Sequence, residues 1–155
     1  MNPEIRLITD EKILATAYSW ADDSPSWFRE TLDIWKETLA EYIKASKNEF
    51  NYGVFIDGEV VAVVRLVEYQ PFVFNLHLYV KRGADFEVLL QAGRSLRDYL
   101  KDKGAKGFFG WLPSMNRSVA RLYKELGFTE TGLKMYKGQI RGKTVEWRHY
   151  AKSYC

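Results

Sequence analysis

The segment Asn116–Phe128, NRSVARLYKELGF, sets a phenol one turn before the end of a short helix. Asn116 or Ser118 can cap the first turn, and Gly127 suits the left-handed residue that closes the last one. Phe128 then opens a new strand and can pack back on the helix. These residues account for a helix-to-strand corner and leave Tyr123 without a structural task. Other groups able to do chemistry are few. Cys155 is the single cysteine, so an internal disulfide and a cysteine-based metal site are excluded. As a terminal residue without fixed neighbours, its thiol is not expected to be activated. His77 and His149 are the two histidines, and their spacing suggests no zinc site.

Composition narrows the function classes further. A chain of 155 residues is expected to form a single domain over residues 1–155, with 46% hydrophobic and 15% aromatic residues excluding disorder. No apolar run approaches the length of a bilayer span. The first residues, MNPEIRLITDEK, lack the apolar centre of a secretion signal, so a cytoplasmic location is expected. The net charge of +3 is unevenly spread: residues 1–50 hold 6 Lys/Arg against 10 Asp/Glu, residues 51–155 hold 17 against 10. The second part would attract a polyanion such as a nucleotide or a CoA, unless its charge is only a solvated surface. Arg94, Arg97, Lys101, Lys103 and Lys106 could form a basic face, but Asp98 and Asp102 interrupt it and no nucleic-acid motif accompanies it. Neither a nucleic acid nor a membrane is expected as a partner.

The elements that must position Tyr123 follow from periodicity. EIRLI (4–8) alternates as a first strand, and Glu11–Trp20 reads as a short helix. Phe28, Leu32, Trp35, Leu39 and Tyr42 recur at steps of three and four, which predicts one amphipathic helix from Ser26 to about Ser46. Ser24, Pro25 and Ser26 supply its start signals. The period then becomes two: YGVFIDGEVVAVVRLVEY is a hairpin turning at Asp57-Gly58, and FVFNLHLYV (72–80) is a third strand. That strand shows Phe74, Leu76, Leu78 and Val80 on one face and Val73, Asn75, His77 and Tyr79 on the other. A helix follows KRGADFE, with Leu89, Ala92, Leu96, Tyr99 and Leu100 on its apolar side, and Gly104 stops it. GFFGWL (107–112) is a buried strand, so it and strand 72–80 flank a crossover helix and should be parallel. TETGLKMYKG and KTVEWRHYAK pair through a turn at Ile140–Gly142.

The order β-α-α-β-β-β-α-β-α-β-β, together with NRSVARLYKELGF, resembles the GNAT superfamily of acyl-CoA-dependent N-acyltransferases. Asn116, Ala120, Tyr123, Gly127 and Phe128 match the pattern of that family's second CoA motif. The resemblance implies an α+β fold: a mixed, mostly antiparallel sheet of about 6–7 strands flanked by about four helices. It also implies that two parallel strands, ending near Val80 and Leu112, splay apart around the pantetheine arm of acetyl-CoA. A tyrosine at position 123 would then hydrogen-bond the CoA sulfur and protonate the leaving thiolate, since a phenol in a low-dielectric gap donates without first ionising. Backbone N–H groups near Leu78, Tyr79 and Val80 would polarise the acyl carbonyl, and Asn116 would border the cofactor. Glu68 and His77 are the candidates for the base that deprotonates a small-molecule or peptide amine acceptor. Trp20, Trp27, Phe28, Trp35 and Tyr42 either shape an acceptor pocket or are core.

The sequence departs from the family where the cofactor pyrophosphate should sit. The family's loop, Arg/Gln-x-x-Gly-x-Gly/Ala, points N–H groups at the ligand; here stands KRGADFE, with Arg82, Gly83 and Ala84 in a different spacing and Asp85 at the helix start. Two readings stay open. Lys81, Arg82 and the N–H groups of Gly83 and Ala84 still form an anion nest with Asp85 turned outward, or Asp85 closes the loop by capping the helix. The second leads to an alternative function, a non-catalytic GNAT-like binding or assembly protein, such as a phage-encoded one, that has lost CoA binding and engages a protein partner.

Overall fold

The computed structural model describes residues 2–23, 28–35, 38–47 and 49–154. Its elements are β1 (Glu4–Leu7), α1 (Glu11–Asp23), α2 (Phe28–Ile34), α3 (Leu39–Ser46), β2 (Phe50–Ile56), β3 (Glu59–Gln70), β4 (Val73–Val80), α4 (Phe86–Asp102), β5 (Gly107–Pro113), α5 (Arg117–Glu125), β6 (Thr129–Ile140) and β7 (Lys143–Ser153). The seven strands make one sheet in the order β1-β2-β3-β4-β5-β7-β6. Every neighbouring pair is antiparallel except β4 and β5, which the crossover through α4 makes parallel.

The turns form where the sequence provides residues that tolerate a left-handed backbone. Asp57 and Gly58 have φ of 51° and 81°, and Arg141 and Gly142 have 53° and 76°, the two-residue geometry that closes a hairpin without splaying its strands. Each β-face buries its own set. On one side α4 and α5 cover Leu66, Phe74, Phe108, Leu112 and Tyr150. On the other, α1, α2 and α3 cover Phe55, Val63 and Tyr79. The alternation read for strand 72–80 is therefore the alternation found, with Phe74 and Tyr79 in different cores.

Two expectations are corrected. The single helix expected over 26–46 is two helices, so five flank the sheet where about four were expected. Thr38 stands in extended backbone (φ −87°, ψ 163°) and its hydroxyl accepts from the Glu41 N–H at 3.2 Å. Thr38-Leu39-Ala40-Glu41 is a capping-box sequence that restarts the helix, and the three-and-four spacing of apolar residues runs straight across it. In α4, Tyr99 is 51% exposed and Leu90 is buried instead. Tyr99 lies at the edge of the apolar stripe, with the Lys103 ammonium 5.6 Å from its ring centre. The expected helix start at Ser24, Pro25 and Ser26, together with Trp27 and Cys155, lies outside the described residues.

Candidate functional site

The parallel pair β4–β5 is joined over three positions only: Val73↔Gly107, Phe74↔Phe108 and Asn75↔Phe109. Past that point β4 stays with β3 as far as Val80↔Ala62, and β5 stays with β7 as far as Pro113↔Trp147. Each strand follows its outer neighbour, and the sheet opens into a fork from Leu76 and Gly110 onward. The Leu76 carbonyl oxygen faces the gap, 3.5 Å from where a Cβ on Gly110 would stand. Because strand backbone groups alternate sides, the N–H of Leu78 and of Val80 point into the fork and that of Tyr79 points to β3. Of the backbone groups named from the resemblance, those of Leu78 and Val80 are free of a ladder partner on this side, which is the arrangement that can donate to a carbonyl.

Tyr123 fills the apex of the fork. Asn116 caps α5, its side-chain oxygen accepting from the Val119 N–H at 3.3 Å, and the helix then carries Tyr123 under β5. The phenol is 3% exposed. Gly110 makes room for it: a Cβ there would lie 3.1 Å from the Tyr123 hydroxyl oxygen. Among the described residues the hydroxyl has no hydrogen-bond partner, and burial raises its pKa above that of an ordinary phenol. It is a protonated donor aimed into an open gap. Gly110 was not singled out from the sequence, where a glycine between Phe109 and Trp111 is one of several in strands.

Two connected cavities meet at the fork. The inner one, about 430 Å³, is bordered by Asn75, His77, Tyr79, Leu112, Asn116 and Tyr123, with Phe28, Trp35, Trp111 and Trp147 as aromatic walls. Trp35 and Trp147 meet edge to face at 5.3 Å between ring centres. Phe28 and Trp35 are thus cavity walls, whereas Trp20 and Tyr42 are core, 5% and 0% exposed. The outer cavity, about 670 Å³, runs along Val80, Lys81, Arg82, Gly83 and Ala84 and shares Phe28, Leu78, Asn116 and Val119 with the inner one.

Nine of the candidate residues, His77, Leu78, Tyr79, Val80, Asn116, Tyr123 and the three of the Arg82-Gly83-Ala84 turn, are brought to these cavities. Glu68 is not. It lies beside Phe74 on β3, at the closed end of the fork, where its carboxylate accepts from the Phe72 N–H at 3.4 Å. The hydrogen bonds of the loop bear on its two readings. Asp85 is the N-cap of α4, its Oδ1 accepting from the Val88 N–H at 3.2 Å, and the Ala84 N–H donates to the Lys81 carbonyl at 3.1 Å. Lys81 is paired with Glu59, and an Arg82 N–H donates to the Asp23 carbonyl at 3.4 Å. Asp85 is exposed, yet its carboxylate caps α4 and is not turned away from the helix start as the open nest requires.

Comparison with known proteins bears on the fold. No family model matches the sequence, and no curated protein is similar to it in sequence. Solved structures are similar over nearly the full length. A probable acetyltransferase from Staphylococcus epidermidis ATCC 12228 has a TM-score of 0.77 at 15% identity, covering 99% of each chain. RimL, a ribosomal L7/L12 alpha-N-protein acetyltransferase in complex with coenzyme A, has a TM-score of 0.75 at 15% identity, covering 99% of this chain and 94% of its own. An acetyltransferase of the GNAT family from Streptococcus pneumoniae has 0.66 at 14% identity, covering 98% and 99%. The α+β chain superposes over nearly its full length on these structures and shares their fold, that of the GNAT acetyltransferases.

Proposed function

We propose that the protein is an N-acetyltransferase that takes the acetyl group of acetyl-CoA to an amine by direct attack. The observation that carries the reading is the buried Tyr123 hydroxyl, unpartnered among the described residues and facing the opened β4–β5 gap. The fork fits a pantetheine arm, whose amides would take up the strand groups left unpaired beyond Asn75 and Phe109. Acetyl-CoA supplies an activated acyl group and a thiolate leaving group. The Leu78 N–H would donate to the acyl oxygen as it gains charge. Tyr123 holds a proton for the departing sulfur, and its raised pKa keeps that proton in place through the neutral range. His77, exposed on the inner cavity, would take the proton that the amine loses, directly or through water. The aromatic walls Phe28, Trp35, Trp111 and Trp147 give the acceptor end an apolar enclosure.

The test is a calorimetric titration with acetyl-CoA, followed by a thiol-release assay over a panel of primary amines. Saturable micromolar binding and amine-dependent release of free CoA are the expected results. A second reading, a non-catalytic binding or assembly protein of this fold, draws on the capped loop, in which Asp85 and the Lys81 carbonyl occupy donors a phosphate would use. Absence of saturable binding would overturn the enzyme reading in its favour.

A further inference from the structure

The outer cavity carries more positive charge than its loop can use. Besides Lys81 and Arg82, it is lined by Arg117 and Arg121, one turn apart on α5. Lys81 is committed to Glu59 and Arg82 reaches the Asp23 carbonyl. Arg117 and Arg121 have no carboxylate partner among the described residues. The Arg121 guanidinium instead lies over the Phe86 ring, 4.1 Å from its centre, and Phe86 is the first residue of α4. That contact bridges α5 to the start of α4 and holds a cation across the cavity mouth, with its N–H edge left to bind. The two arginines continue into an adjoining open groove with Lys124, Glu125 and Arg148.

Resting on the acetyltransferase reading, we propose that Arg117 and Arg121 hold the phosphate groups of CoA through their guanidinium groups, replacing backbone donors that the β4–α4 loop has turned to its own use. Asp85 caps α4 at Val88, and the Ala84 N–H closes a turn on Lys81, so the loop offers little to an anion. Two guanidinium forks on one helix face suit a phosphate ester or diester, which accepts paired hydrogen bonds. The ligand would then be gripped from the α5 side of the cleft, with the pantetheine arm running inward past Asn116 to Tyr123.

The test titrates CoA, and pantetheine as its phosphate-free part, into the natural protein, the Arg117→Ala/Arg121→Ala pair, the Arg117→Lys/Arg121→Lys pair and Asp85→Gly. The alanine pair is expected to weaken CoA binding on the order of ten-fold or more, with pantetheine unchanged and the lysine pair in between. The CoA affinity of the natural protein should fall with added salt more steeply than that of the alanine pair. Thermal unfolding confirms that each variant folds, and Arg117→Ala alone, which disturbs no ring contact, stands in if the pair does not. Unchanged CoA affinity in the arginine variants would overturn this inference and leave the acetyltransferase reading standing. So would a gain confined to Asp85→Gly, which would put the phosphates back in the loop. No CoA binding by the natural protein would overturn both.

Discussion

Tyr123 and Gly110 have to be considered together, because the room that one leaves is occupied by the other. The phenol is buried at the fork and its hydroxyl contributes no hydrogen bond to the described residues, so its removal leaves no partner stranded. Tyr123→Phe is therefore expected to lower amine-dependent thiol release on the order of ten-fold or more while leaving chemical denaturation within about 0.5 kcal/mol of the natural protein. Unchanged turnover would remove Tyr123 from the proposed mechanism. A Cβ at residue 110 would crowd the hydroxyl at 3.1 Å and push the ring off the fork. His77 and Glu68, both candidates from the sequence, are separated by position. His77 borders the inner cavity, whereas Glu68 closes the turn at the joined end of β4 and β5.

At the scale of elements, the fork comes from competition between neighbours. β4 has eight residues and β5 seven, and three of each are shared before the outer partners take over. A second element-level feature is the break between α2 and α3. Thr38 satisfies an N–H that the first turn of α3 would otherwise leave open. Thr38→Ala is expected to cost about 1 kcal/mol in urea denaturation, with Thr38→Ser near neutral. Equal stability of all three would show that the interruption is held by tertiary packing instead. Such packing exists nearby, since the Lys137 ammonium lies 4.0 Å from the centre of the Trp35 ring, just beyond α2. Glu49 and Arg65 pair across the inner-cavity side with side chains 13% and 11% exposed, and the Arg65 guanidinium also sits 5.4 Å from the Tyr42 ring centre.

For the whole molecule, His149 links folding to pH. It lies on β7 against Trp111, 4.8 Å between ring centres, with its Nδ1 2.9 Å from the Thr131 hydroxyl, and burial lowers its pKa. The folded chain holds it neutral where the unfolded chain would bind a proton. Stability from this group is therefore complete above the ordinary histidine value of about 6.5 and is lost as pH falls below it. Unfolding midpoints measured from pH 7.5 to 5.5 should drop more for the natural protein than for His149→Gln. Parallel profiles would show that His149 does not titrate differently in the two states. Among the described residues no helix is long and apolar enough to cross a membrane.

The local features were legible in the chain, because their causes are local. The Asp57-Gly58 turn, the two faces of β4, the Asn116 cap and the glycine closing α5 are each written in a few adjacent residues, and the crossover that makes β4 and β5 parallel follows from element order. The Thr38 break was also written there, as a capping box hidden beneath an unbroken apolar period. Where strands part and which side chains share a space depends instead on the assembled fold. Pairing of β4 stops at Asn75 because β3 and β7 compete for the two strands, and no residue at Leu76 or Gly110 announces it. The meeting of Tyr123 with Gly110, the exclusion of Glu68, and the gathering of Arg117 and Arg121 beside Phe86 all depend on contacts between segments distant in the chain. The direction of Asp85 was open for the same reason. A carboxylate can cap a helix or turn to solvent, and here the cap prevails.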